Sequence, residues 1–204
     1  MRIRASHTIS LAEQTPNTGI HDIYTVSEAV LPDGRSFEHS REQFQLHHAA
    51  ARERDTHIGA VLTYWRQKER DSGGGVPLQD DFRPAEIVPQ ASGFLALVDV
   101  SSEDPNDFKL LDIGSEAIGL RGFSSGPKVS IVFDRIHCTL LIDLLWSKMD
   151  RQPSYFETEV IVQEATLRYV YCLLPTQGGG RKIDRVHVAT RPVRGARATV
   201  EAFY

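Results

Sequence analysis

The chain has 204 residues, 41% hydrophobic and 25% charged, and its 23 Lys and Arg against 27 Asp and Glu give a formal net charge of −4. This fits one globular domain with an extension, because a domain of about 150 residues buries enough apolar surface to fold without disulfides or metal. The acidic balance disfavours a general binder of nucleic acid or anionic membrane, which needs a large basic patch. No run of about 18 apolar residues is present to cross a bilayer, and no apolar stretch follows Met1-Arg2-Ile3-Arg4 as a secretory signal requires. The expectation is a cytoplasmic protein.

Residues 1–37 read as an N-terminal extension. Pro16-Asn17-Thr18-Gly19 and Pro32-Asp33-Gly34-Arg35 are turn signals, and the apolar residues between them, from Ile20 to Leu31, suit a short strand or helix. Residues 38–70 read as one long helix. Phe44, His48, Ala51, Ile58, Val61, Leu62 and Trp65 recur near a 3.6-residue period, and Arg52, Glu53, Arg54, Asp55, Lys68, Glu69 and Arg70 supply a polar face. Gly59 weakens its middle by about 1 kcal/mol relative to Ala. Ser72-Gly73-Gly74-Gly75 and Pro77 end it.

Residues 71–192 form the main domain. Pro84 suits the first position of a short helix with Glu86 in its first turn. Phe94 to Val100 reads as a strand, Ser101 to Asp107 as a loop and Phe108 to Ile113 as the strand's partner. Gly114 to Leu120 reads as a short helix and Gly122 to Lys128 as a loop. Ile131 to Met149 is a helix apolar nearly all round, which predicts burial on more than one side. Three strands follow at Tyr155–Gln163, Thr166–Leu174 and Ile183–Thr190, the last two joined through Pro175 to Gly180. Residues 193–204 are a tail. Grouped strands with helices between them favour an antiparallel α+β sheet over parallel βαβ units.

Chemistry is sparse in this text. Cys138 and Cys172 lie among apolar neighbours and read as buried, reduced thiols. His39, His47, His48 and His57 lack the i, i+4 spacing of a zinc helix, so no metal site is expected. Gly73-Gly74-Gly75 and Gly178-Gly179-Gly180 match no phosphate loop. Glu157 and Glu159 share one strand face with Arg168 nearby, which is the pattern of a solvated face. The serines at 92, 115, 124, 125 and 130 sit in no nucleophile elbow. Arg191, Arg194 and Arg197 read as a solvated basic stretch.

Three phrases carry a family likeness: Tyr64-Trp65-Arg66 at a helix end, Asp81-Phe82-Arg83-Pro84-Ala85-Glu86-Ile87, and Phe94-Leu95-Ala96-Leu97-Val98-Asp99-Val100. Tyr171-Cys172-Leu173-Leu174-Pro175, Gly178-Gly179-Gly180 and Ile183-Asp184-Arg185-Val186 extend it. In this order they resemble the small stand-alone PAS-domain proteins of alphaproteobacteria over residues 47–191. Arg83 stands where that family has an N-capping Asp, and the 109–126 stretch departs from the family's text. The resemblance implies a PAS-like five-stranded antiparallel sheet with helices on one face, preceded by the long N-terminal helix. Its implied role is sensory or regulatory, without catalysis, and it leaves any cofactor unknown, although a histidine such as His137 or His187 can hold haem in some members. Residues Leu97, Leu111, Ile118, Phe133, Leu141, Leu145, Val170, Cys172 and Val188 would line an apolar cavity able to take a small molecule. The expected output is contact with a protein partner or a homodimer, through Phe44, His48, Ala51, Ile58 and Leu62 on the first helix. The alternative is a cone-shaped α+β enzyme, an isomerase or dehydratase, with a buried Asp143–His187 pair.

Overall fold

The computed structural model describes residues 25–30, 36–117, 140–162, 165–180 and 182–193. Its elements are β1 (Thr25–Val30), β2 (Ser36–Phe44), α1 (Leu46–Arg52), α2 (His57–Asp71), α3 (Pro84–Ile87), β3 (Leu95–Asp99), β4 (Lys109–Ile113), α4 (Leu140–Asp150), β5 (Ser154–Val162), β6 (Ala165–Gln177) and β7 (Ile183–Pro192). The fold is α+β. Its strands make one antiparallel sheet in the order β1-β2-β5-β6-β7-β3-β4.

Strands β3 to β7 stand where the sequence places them. The alternating pattern of 155–163 becomes β5, and the run rich in aromatic and β-branched residues becomes β6. Two expectations are corrected. The sheet has two strands beyond the expected five, β1 and β2, and the long helix over 38–70 is not continuous. Ser36–Phe44 is a strand that pairs along its length with β5, from Phe37 opposite Val162 to Phe44 opposite Tyr155. The helical period there comes from Phe44 onward, and the sheet edge offered by β5 decides the conformation of the residues before it. The remaining helix is broken at 53–56. Thr56 caps α2, its Oγ1 accepting from the Gly59 N–H at 3.3 Å. A side chain at Gly59 would collide with the Glu53 carbonyl, so the glycine permits this tight turn rather than weakening a helix interior.

Helices cover both faces of the sheet, not one. Cross-strand registers put Phe44, Tyr155, Cys172, Ala189 and Leu95 in one row on the first face. Gln43, Phe156, Tyr171 and Thr190 form a row on the second face. Helices α1, α2 and α3 lie over the first face and α4 over the second. Ile58, Val61, Leu62 and Trp65 of α2 are buried against the first face, each large apolar side chain contributing about 1.5–3 kcal/mol. Trp65 also satisfies its indole N–H on the Pro175 carbonyl at 2.8 Å. On the second face, Leu140 and Leu144 of α4 are buried, but Trp146 is 54% and Met149 61% exposed. The all-round burial expected of that helix therefore does not hold over its described part. Residues 118–139, which carry the expected 122–128 loop, the start of that helix, His137 and Cys138, lie outside the described residues. Arg194 and Arg197 lie outside them too.

Candidate functional site

Two buried ionic clusters join the N-terminal segment to the rest of the sheet, one on each face. On the first face, Glu53 closes the α1–α2 turn and is fully buried. Arg191 of β7 donates to it through Nε at 2.7 Å and through Nη2. Tyr155 of β5 donates its hydroxyl at 2.6 Å, and Thr56 donates at 2.5 Å. Burial alone would push the Glu53 carboxyl up. Hydrogen bonds from Arg191, Thr56 and Tyr155 outweigh that and hold it below the usual carboxylate value. Burial and the same contact drive the Tyr155 phenol far above its ordinary pKa, and the bond to Glu53 raises Arg191. The cluster is a fixed carboxylate–guanidinium pair, so Tyr155 stays protonated as a donor.

On the second face, Asp143 of α4 accepts from Arg41 Nη1 of β2, and from the Tyr171 hydroxyl at 2.6 Å. The Arg41 guanidinium also sits over the Phe156 ring, 5.0 Å from its centroid. Arg41 and Asp143 are 8% and 2% exposed, which makes this a buried ion pair. Neither cluster was singled out from the sequence. Glu53 stands in a run of charges that reads as solvated, and Arg41 meets Asp143 across 102 positions. No local signal separates these charges from surface ones.

The expected cavity residues distribute over both faces. Val170 and Cys172 are fully buried on the first face, where Leu97 is partly covered. Val188 is buried on the second face, where Leu141 and Leu145 of α4 pack against the core. Leu111 is 37% exposed on β4. Ile118 and Phe133 lie outside the described residues. The structure thus brings Val188, Leu141 and Leu145 to one face and keeps Val170, Cys172 and Leu97 on the other.

No protein-family model matches the chain, and no curated protein matches it. Among solved structures, it is similar to one described as an RNA-binding light-oxygen-voltage receptor, at 11% identity and a TM-score of 0.39, over 84% of this chain and 76% of that one. A likeness at that level assigns no residue a role.

The expected interface residues are largely spent inside the chain. Phe44, Ile58 and Leu62 are buried in its own core, His48 is half-buried, and Ala51 is exposed. The apolar stripe that a second copy was expected to cover is covered by the sheet. The Asp143–His187 pair is not assembled, because Asp143 sits on the second face and His187 on the first. There His187 Nε2 donates to Gln79 Oε1 at 3.3 Å and the ring meets Phe82 edge-on. Burial lowers the His187 pKa to about 4, so the ring is neutral. Burial also pushes the Cys172 thiol up to about 12, the chemistry of an inert core thiol. Among the strand charges, Arg168 pairs with Glu159, and Arg52 with Glu157 at 2.5 Å. Among the described residues, no group of three His, Cys, Asp or Glu could hold a metal ion, and no helix is long and apolar enough to cross a membrane.

Proposed function

We propose that the chain is a PAS-like sensory or regulatory module whose input is a small molecule held in its core and whose output is contact with a protein, a second copy included. One observation supports this above the others. The β3–β4 hairpin and the β5–β6–β7 meander form one continuous five-stranded antiparallel set, closed by pairing of β3 with β7, with α4 crossing one face. This is the element order that the sequence likeness implies. The two added strands and the helices on the first face then act as a flank, tied to the five strands by Glu53 and Arg41. A flank bound to the core through two ion pairs gives a change in the core a route to the surface. The enzyme reading rests on Asp143 and His187, and their separation by the sheet leaves it without a catalytic pair.

Native mass spectrometry and a visible absorption spectrum of freshly purified full-length protein test this reading, together with light scattering across a concentration series. The expected results are a bound small molecule and a dimer, or a heteromeric complex recovered with the protein. A ligand-free protein that remains a monomer and recovers no partner overturns it.

A further inference from the structure

The Tyr64-Trp65-Arg66 phrase has two members whose roles are structural. The Tyr64 hydroxyl donates to the Asp81 carbonyl at 3.0 Å and its ring stacks on Phe82, while Trp65 is buried and bonded to Pro175. Arg66 is different. It is half-buried, yet its guanidinium makes no hydrogen bond or ion pair with any described residue. It lines a cleft of about 560 Å3 between α2 and the α4–β5 connection, together with Trp65, Leu46, Pro153, Glu69 and Arg70. That volume falls within the roughly 300–1,000 Å3 of small-molecule sites.

We infer that this cleft binds a small monoanionic molecule with an apolar body, such as an aryl carboxylate, whose carboxylate pairs with Arg66. Three features set that chemistry. A guanidinium with no partner among the described residues presents a fork that matches a carboxylate. Arg70 is held beside it, its Nη2 on Gln67 Oε1 at 2.7 Å and its Nε on the Arg66 carbonyl at 3.3 Å, so a second cation is fixed at the same rim. Glu69 opposes them with a carboxylate that makes no hydrogen bond or ion pair with a described residue, so two cations and one anion leave a single positive charge to match. Leu46 and Pro153 give the cleft its apolar contacts, beside Thr63 and Gln152, and Trp65, 1% exposed, lies against it. The site is separate from the clusters at Glu53 and Asp143, and the inference stands independently of whether the module dimerises.

Titration calorimetry of the full-length protein with benzoate, acetate and benzylamine tests this, with tryptophan fluorescence reporting contact near Trp65. Benzoate is expected to bind at millimolar concentration or below, acetate more weakly for want of an apolar body, and benzylamine not at all. Arg66→Gln should weaken benzoate at least about tenfold, the scale of one charged hydrogen bond. Arg66→Lys should fall between, and Glu69→Gln should tighten binding about two- to fivefold by removing the opposing charge. Thermal melts check that the variants fold. The inference is overturned if benzoate fails to bind, if benzylamine binds as well as benzoate, or if Arg66→Gln leaves benzoate affinity unchanged.

Discussion

The two faces of the sheet carry the same three residue types, a carboxylate that accepts from an arginine and a tyrosine, but the N-terminal segment supplies the acid on one face and the arginine on the other. On the first face the N-terminal segment brings the acid, Glu53, and the sheet brings Arg191 and Tyr155. On the second face the N-terminal segment brings Arg41, and the acid, Asp143, comes from α4. The first cluster is closed, its carboxylate taking two bonds from Arg191, one from Tyr155 and one from Thr56. In the second, Arg41 Nε and the hydroxyl of Thr158, directly across the β2–β5 pair, make no hydrogen bond with a described residue. A buried ion pair adds net stability only when its remaining hydrogen-bonding groups are also satisfied. The stabilising weight should therefore sit on the first face, although its arginine is the more exposed of the two, the Arg191 side chain at 20% against 9% for Arg41.

The sharpest way to break the comparison is to remove each cluster. Glu53→Ala leaves Arg191 without its counter-ion and the buried Tyr155 hydroxyl with only a long 3.5 Å contact to Glu157, which should cost about 3–5 kcal/mol in urea unfolding. Replacing the whole second cluster, Arg41→Met and Asp143→Leu together with Tyr171→Phe to remove the hydroxyl that bonds to Asp143, should change stability by no more than about 1–2 kcal/mol in either direction, since apolar groups of similar volume take over the space. Equal losses in the two proteins would show that the two faces are equivalent.

The His187 ring, on the same face as Glu53, gives the next largest effect. Its folded pKa of about 4 lies below the ordinary 6.5, so the unfolded chain binds the proton more readily. Stability is fully present above pH 6.5 and falls as the pH drops toward 4, by about 3 kcal/mol over that window. Glu53 also has a lowered pKa, but its contribution begins to fall only near the ordinary carboxylate value of 4.5, so the range above pH 4.5 reports His187. Unfolding midpoints from pH 7 to 4.5 should slope in the native chain and lie flat in His187→Leu. A persisting slope would assign the titration to another group.

The five strands β3 to β7 were legible because each carries its own signal: alternation in β5, aromatic and β-branched density in β6, and breaks at Pro89, Pro105 and Gly178 to Gly180. Arg83 shows the same legibility at small scale, standing at the N-cap of α3 with no side-chain capping bond, as its replacement of the expected Asp implies. Strand β2 was not legible, because Ser-Phe-Glu-His-Ser-Arg-Glu-Gln-Phe has no clear apolar alternation and is held extended by an edge supplied from more than a hundred residues away. The placement of helices on both faces was hidden for the same reason, since adding β2 and turning the chain at Glu53 carries α2 to the face opposite α4. The clusters were hidden because charge looks alike in sequence whether it ends up paired and buried or bathed in water. A motif arginine such as Arg66 stands out only once Tyr64 and Trp65 are seen to be structural.

The smallest expected effects sharpen the contrast most cleanly, because they change single hydroxyls of the same residue type. Thr56 Oγ1 donates to Glu53 Oε2 and accepts from the Gly59 N–H, so it both caps α2 and completes the first cluster. Thr158 is buried on the second face, 4% exposed, with a hydroxyl that bonds to nothing described. Valine replaces the hydroxyl by a methyl group of nearly the same volume and keeps the β-branch, so packing is conserved and only the polar contribution changes. Thr56→Val should lose about 1–2 kcal/mol, the sum of a cap and a bond to a charged acceptor. Thr158→Val should be neutral or stabilising by about 1 kcal/mol, because it removes a buried polar group that gains nothing by being polar. A loss at Thr158 as large as that at Thr56 would mean that its hydroxyl has a partner in solution, and the second face would then be as fully satisfied as the first.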